Sequence, residues 1–124
     1  MKPDSTEPTL TCPQAGASAK DALRSIIISE QLLGTTEILV IKHTGCGMLT
    51  FQNEDAYGIV EKNLGAEAAQ ELKSSKLDFL PFPELETAVE DDVKHLKGTK
   101  LVPDSVTISG WVYECESGKT RQVV

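Results

Sequence analysis

Four consecutive apolar residues, Ile38-Leu39-Val40-Ile41, lie between a helical pattern and a glycine-containing loop, and no other feature constrains the fold as tightly. A short run of this kind, rich in β-branching, predicts a strand buried on both faces of a parallel sheet. His43-Thr44-Gly45-Cys46-Gly47 follows at once. It therefore falls on the loop at that strand's carboxyl end, where open α/β sheets collect their ligands and active sites.

The rest of the chain supplies helices to cover such a sheet. Residues 1–17 hold three prolines and small polar residues and read as an irregular N-terminal segment, with Thr9 to Thr11 as a short extended piece at most. Residues 18–124 read as one domain. Ser18 with Asp21 three residues on has the form of a capping box. Ala22, Leu23, Ile26, Ile27 and Leu33 then follow at helical spacing up to Gly34. Asn53 is placed to cap a helix beginning at Glu54, and an alanine-rich stretch from Ala66 predicts a short second one. Pro83 opens a helix to about Lys97 that carries Leu85, Val89, Val93 and Leu96 on one face. Val106, Ile108 and Val112 alternate with polar residues as in a strand, and a turn at 116–119 leads into a short last strand. The expected class is α/β, a small and mainly parallel sheet flanked by helices.

Composition narrows the function. The formal net charge is −7, with 19 acidic against 12 basic residues. That balance argues against a nucleic-acid partner, which needs clustered Lys and Arg, and against docking on an anionic membrane. No apolar run is long enough to span a bilayer and the first residues lack a signal-peptide core, so the expectation is a soluble cytoplasmic protein. Cys12, Cys46 and Cys115 are an odd set at wide spacing, suggesting free thiols or metal ligands in place of a disulfide framework. Cys115, beside the last strand, reads as a small buried residue. His95 lies in the last turn of its helix, where it suits the negative helix end. Asp21 and Arg24 read as a surface ion pair at helical spacing.

His43 and Cys46 are the one pair with metal-ligand chemistry. Zinc takes imidazole nitrogen and thiolate sulfur, and glycines at 45 and 47 allow a turn sharp enough to aim both side chains at one ion. Taken alone, the spacing also suits a strand-end histidine beside an inert cysteine. Context adds to it. Asp21-Ala22-Leu23-Arg24-Ser25-Ile26-Ile27-Ile28-Ser29, then Leu32-Leu33-Gly34-Thr35, then Ile38 to Ile41 and His43 to Phe51, closely resemble the β-carbonic anhydrase family. Ala88 to Val93, Val102-Pro103 and Ile108-Ser109-Gly110-Trp111-Val112-Tyr113 are similar to its closing helix and strand.

The resemblance implies a zinc protein that hydrates carbon dioxide reversibly to bicarbonate through zinc-bound hydroxide. His43 and Cys46 match the family's histidine and second cysteine as metal ligands. Gly47 matches the glycine that lets backbone approach the site. It also implies a homodimer, or pairing with a full-length homologue. The family's Cys-x-Asp-x-Arg motif, which supplies the first cysteine and an Asp–Arg dyad, occurs nowhere in the chain. The expectation is thus the family's fold without its first strands, and an activity in doubt. Cys12 is a candidate third ligand, against which its irregular segment argues. Two further readings stay open: a non-catalytic homologue that binds zinc or serves in assembly, and a carbonyl sulfide or carbon disulfide hydrolase on the same scaffold. Without the first strand, the edge of Ile38 to Ile41 is expected to be filled by residues 8–12 or by another chain, or else to leave the protein marginally stable.

Overall fold

The computed structural model describes residue 11 and residues 13–124. After a single 3-10 turn at Ala15–Ala17, helix α1 spans Ala19–Leu33 and strand β1 spans Glu37–His43. A second 3-10 turn, Gly47–Leu49, leads to helices α2 (Asn53–Leu64), α3 (Ala66–Ser75) and α4 (Leu85–Gly98). Strands β2 (Thr107–Glu114) and β3 (Lys119–Gln122) close the chain. The class is α/β, as expected. The sheet order is β1-β2-β3, with β1 parallel to β2 and β2 antiparallel to β3.

The apolar stripe of α4 explains how the layers hold together. Val89, Val93 and Leu96 are fully or almost fully buried, as the helical spacing of these residues requires. Val93 and Leu96 join Val40 of β1, Ile108 of β2, Ala19 and Val102 in one cluster, with Leu23 and Ile26 of α1 packed against it. Val89 joins Leu85 and Val112 in a second, beside Phe82 and Val123. Gly110 lies where α4 crosses β2. A β-carbon there would collide with Val89 and stand 2.9 Å from Val93 and 3.0 Å from Val124.

Helix ends depart from the sequence expectations. Ser18 makes no side-chain cap for α1. The first N–H of α1, from Ala19, donates instead to Asp92 Oδ2 of α4 at 3.0 Å. A carboxylate from another helix thus does the work expected of the local capping box, because packing brings it to the positive helix end. Asp21 and Arg24 form no ion pair. At the other end of α1, Gly34 adopts the left-handed conformation (φ 71°) and donates to Glu30, while Thr35 donates to Ser29. Helix α2 is capped by Gln52, whose N–H donates to Asp55. Asn53 instead donates to Asp78 and accepts from the Phe79 N–H, tying α2 to the connector before α4. Pro83 lies two residues before α4, which begins at Leu85.

Two other expectations are corrected. β1 is buried on one face only: Val40 and Lys42 are buried, while Leu39 and Ile41 are 43% and 44% exposed. The run is apolar on both faces, but α1 and α4 cover just one of them. Cys115 is exposed and not buried, since it follows the end of β2. Among the described residues β1 pairs with β2 alone; residues 8–10 and 12, candidates to fill its other edge, lie outside the described residues.

Glu30 is an anomaly on α1. Its residue is 9% exposed and neither carboxylate oxygen has a hydrogen-bond partner. Burial pushes its carboxyl above the usual carboxylate range. A carboxyl that binds its proton more tightly folded than unfolded favours folding at low pH, and that contribution fades as pH rises through the raised value. Glu30→Gln is therefore expected to stabilise the protein by about 1 kcal/mol at pH 7. The gain should shrink toward pH 4 in urea denaturation, and equal gains at both pH values would show that the charge is not the cause.

Candidate metal centre

The His-x-x-Cys loop is held at both ends by backbone geometry. His43 is the last residue of β1 and Gly45 turns the chain with φ 67°, a conformation that favours glycine. Cys46 then precedes the 3-10 turn, in which the Leu49 N–H donates to the Cys46 carbonyl and the Thr50 N–H to that of Gly47. Gly47 has no such left-handed backbone, and a β-carbon on it would meet nothing within 4 Å. The sharp turn thus belongs to Gly45, and Gly47 leaves open space beside the loop.

Thr44 anchors the loop to the end of β2. Its N–H donates to the Tyr113 carbonyl at 3.0 Å, its Oγ1 donates to Glu116 at 3.1 Å, and the Cys115 N–H donates to Thr44 Oγ1 at 3.0 Å. Both candidate ligands then face one cleft of about 970 Å³ that runs beside β1. Cys46 is 5% exposed at its wall, and His43 is exposed at its mouth. His43 Nδ1 lies 2.8 Å from the Thr44 carbonyl oxygen. A carbonyl can only accept, so this bond needs the proton on Nδ1 and leaves the Nε2 lone pair for a ligand. Metal-bound histidines are held by this kind of bond.

The donor types suit zinc, but their number falls short. Catalytic zinc takes three protein ligands and an open position. Among the described residues no group of three or more His, Cys, Asp or Glu side chains is gathered for a metal. Cys115 Sγ lies 3.7 Å from His43 Nδ1 and 3.6 Å from the Thr44 carbonyl, on the side of the ring already bonded to backbone. Cys12 lies outside the described residues. The described part of the site therefore presents two donors of the right kind and lacks a third.

Sequence reasoning missed Lys42, next to His43. Its side chain is 2% exposed and its ammonium lies 2.8 Å from Asp92 Oδ2. It donates to the carbonyls of Gly16 at 2.7 Å and Ala17 at 3.2 Å, and stands 4.9 Å over the Phe82 ring. One buried cation thereby joins β1, α4 and the segment entering α1, and that segment lines the cleft. A lysine that alternates with buried Val40 along a strand was the available signal.

No family model matches the chain. It is 34% identical over 125 residues to a carbon disulfide hydrolase of Saccharolobus solfataricus, covering 86% of this chain and 61% of the relative. It is 29% identical over 103 residues to β-carbonic anhydrase 1 of Mycobacterium tuberculosis, covering 83% of this chain and 59% of that relative. In structure it matches a carbonic anhydrase from Glaciozyma antarctica with a TM-score of 0.84 at 43% identity, covering 89% of this chain and 64% of the other. The chain thus spans between 59% and 64% of the length of these relatives. Over the part of their length that it spans, the chain is a homologue of the β-carbonic anhydrases in sequence and in fold.

Proposed function

We propose that this chain carries part of a carbonic anhydrase-type zinc site and that His43, through Nε2, and Cys46 are two of its metal ligands. The observation that carries the reading is the loop geometry. One tight turn at the carboxyl end of β1 presents an imidazole, its Nδ1 side held at 2.8 Å by backbone, and a buried thiol to the same cleft. Gly47 leaves space next to that thiol. Cys12 is the candidate for the third ligand within this chain, the other source being a second polypeptide. Zinc bound here would supply the Lewis acidity that activates water toward carbon dioxide, giving bicarbonate. What the chain itself contributes is position: Thr44 fixes the imidazole, Lys42 and Asp92 hold the cleft wall, and the cleft admits a small substrate. The relatives named carbon disulfide hydrolases give a second reading, hydrolysis of carbon disulfide on the same scaffold. A cytoplasmic setting and assembly as a homodimer, or with a full-length homologue, belong to the same proposal.

The test is zinc content of the purified chain after dialysis, alongside His43→Ala, Cys46→Ser and Cys12→Ala variants. About one zinc per chain, lost in all three variants, is expected for a three-ligand site. Hydration of carbon dioxide and hydrolysis of carbon disulfide are then assayed on the zinc-loaded form. Zinc that is absent from the parent chain, or retained after both His43→Ala and Cys46→Ser, would overturn the assignment.

A further inference from the structure

The imidazole of His43 is aimed from a distant part of the chain, and we propose that Glu116, in the turn after β2, is a positioning residue that acts on His43 through Thr44. Its consequence for metal binding rests on the reading of His43 as a ligand; its consequence for the ring does not.

The bond that sets the ring is local. His43 Nδ1 lies 2.8 Å from the carbonyl oxygen of the next residue, Thr44, so the ring points where that carbonyl allows. On its other side Thr44 is followed by Gly45, where a β-carbon would meet nothing within 4 Å. Packing at Gly45 therefore gives Thr44 no support, and the support has to come from elsewhere.

It comes from residues 113–116. The Thr44 N–H donates to the Tyr113 carbonyl at 3.0 Å, just past the last register pair of β1 and β2, His43↔Tyr113. The Thr44 hydroxyl then both donates and accepts: it donates to Glu116 Oε1 at 3.1 Å and accepts the Cys115 N–H at 3.0 Å. With amide and hydroxyl both held, the Thr44 α-carbon is fixed and its carbonyl keeps one rotation. That carbonyl has two lone pairs, and it meets the His43 ring nitrogen at 2.8 Å and the Cys115 thiol at 3.6 Å. Among the groups that hold Thr44, Glu116 supplies the carboxylate, and a hydrogen bond to a carboxylate is stronger than one between neutral groups.

Glu116 is itself placed by the hairpin. Glu114 pairs with Lys119 across β2 and β3, the Gly118 N–H donates to the Glu114 carbonyl at 2.8 Å, and the Lys119 N–H donates to Ser117 Oγ at 3.3 Å. A closed turn thus brings the carboxylate to a loop 72 positions earlier in the sequence. The link is mechanical, since the Thr44 hydroxyl and carbonyl are separate groups and no proton passes between them. Without Glu116 the hydroxyl loses its acceptor, Thr44 loosens, and the Nδ1 proton loses a fixed partner. The ring can then carry its proton on Nε2, the nitrogen whose lone pair a metal would need.

The test compares Glu116→Ala with Glu116→Gln, and Thr44→Val with Thr44→Ser, in the full chain, with circular dichroism to check folding. Glutamine keeps an acceptor and serine keeps the hydroxyl; alanine and valine remove them. Heteronuclear NMR of the metal-free chain under mildly alkaline conditions reads which ring nitrogen of His43 holds the proton. Competition with a chromophoric chelator reads zinc affinity. In the parent chain the proton is expected on Nδ1. Glu116→Ala and Thr44→Val are expected to move it toward Nε2 and to weaken zinc binding about tenfold or more, the usual scale for groups that orient a ligand. Glu116→Gln and Thr44→Ser are expected to stay within about threefold of the parent. A tautomer that Glu116→Ala leaves unchanged, a zinc affinity that it leaves unchanged, or conservative variants that lose as much as alanine and valine would overturn the role of Glu116. A tautomer that shifts as expected in a chain that binds no zinc would sink the metal reading and leave the positioning of the ring standing.

Discussion

Asp92→Ala is expected to lower the stability of the protein by about 3–5 kcal/mol, the usual result of stranding one charge of a buried ion pair. Asp92 serves two partners at once: its Oδ2 lies 2.8 Å from the Lys42 ammonium and accepts the Ala19 N–H at 3.0 Å. Removing it leaves Lys42, whose side chain is 2% exposed, with the Gly16 and Ala17 carbonyls and the Phe82 ring as its remaining partners. It also leaves the first N–H of α1 without an acceptor. Lys42→Met combined with Asp92→Leu is expected to recover much of the loss, since removing both charges spares the desolvation cost of either. Urea denaturation followed by circular dichroism reads both effects. A loss below about 1 kcal/mol for Asp92→Ala would mean that water reaches Lys42 and that the clamp is a surface pair.

Gly110→Ala should cost about 1–3 kcal/mol, and Gly110→Val more, because the space for a β-carbon is already filled from three sides. Val89 and Val93 of α4 press on the strand from one side, and both are essentially fully buried, with no free volume into which to retreat. Val124 lies against the same spot, held there because the Gly110 N–H donates to the Val124 carbonyl at 3.0 Å and the Gly110 carbonyl accepts from the Val123 N–H at 2.8 Å. A side chain at 110 must either push α4 off the sheet or break this tail contact. Val89→Ala in the Gly110→Ala background is expected to restore part of the stability, a coupling that a merely local backbone effect of glycine would not show. The unfolding midpoints of the single and double variants decide between the two.

Much of the fold was legible from local patterns. The stripe of Leu85, Val89, Val93 and Leu96 is buried as its spacing requires, and Gly34 ends α1 in the left-handed conformation expected of it. The turn after Glu116 and the last strand also form where turn chemistry placed them. Helix caps were less legible. Ser18 and Asn53 both have good capping chemistry, yet a more distant acceptor serves α1 and Asn53 is drawn to Asp78 and Phe79. Local propensity cannot rank a neighbour in the chain against a side chain that folding brings near.

At the candidate site the same division holds. The chemical types of His43 and Cys46, their spacing and their place at the end of a strand are properties of the sequence, because a seven-residue strand and a glycine turn leave the loop little choice. The exposure of Leu39, Ile41 and Cys115 was not, because an apolar residue is buried only where another element covers it, and here α1 and α4 cover one face of β1. Nor was the role of Lys42. Its charge reads as a surface feature in any window of sequence, and only the convergence of Asp92, Gly16, Ala17 and Phe82 makes a buried ammonium tenable. Short-range pattern settles which segments are helix and strand; burial and long-range pairing are decided by which faces meet.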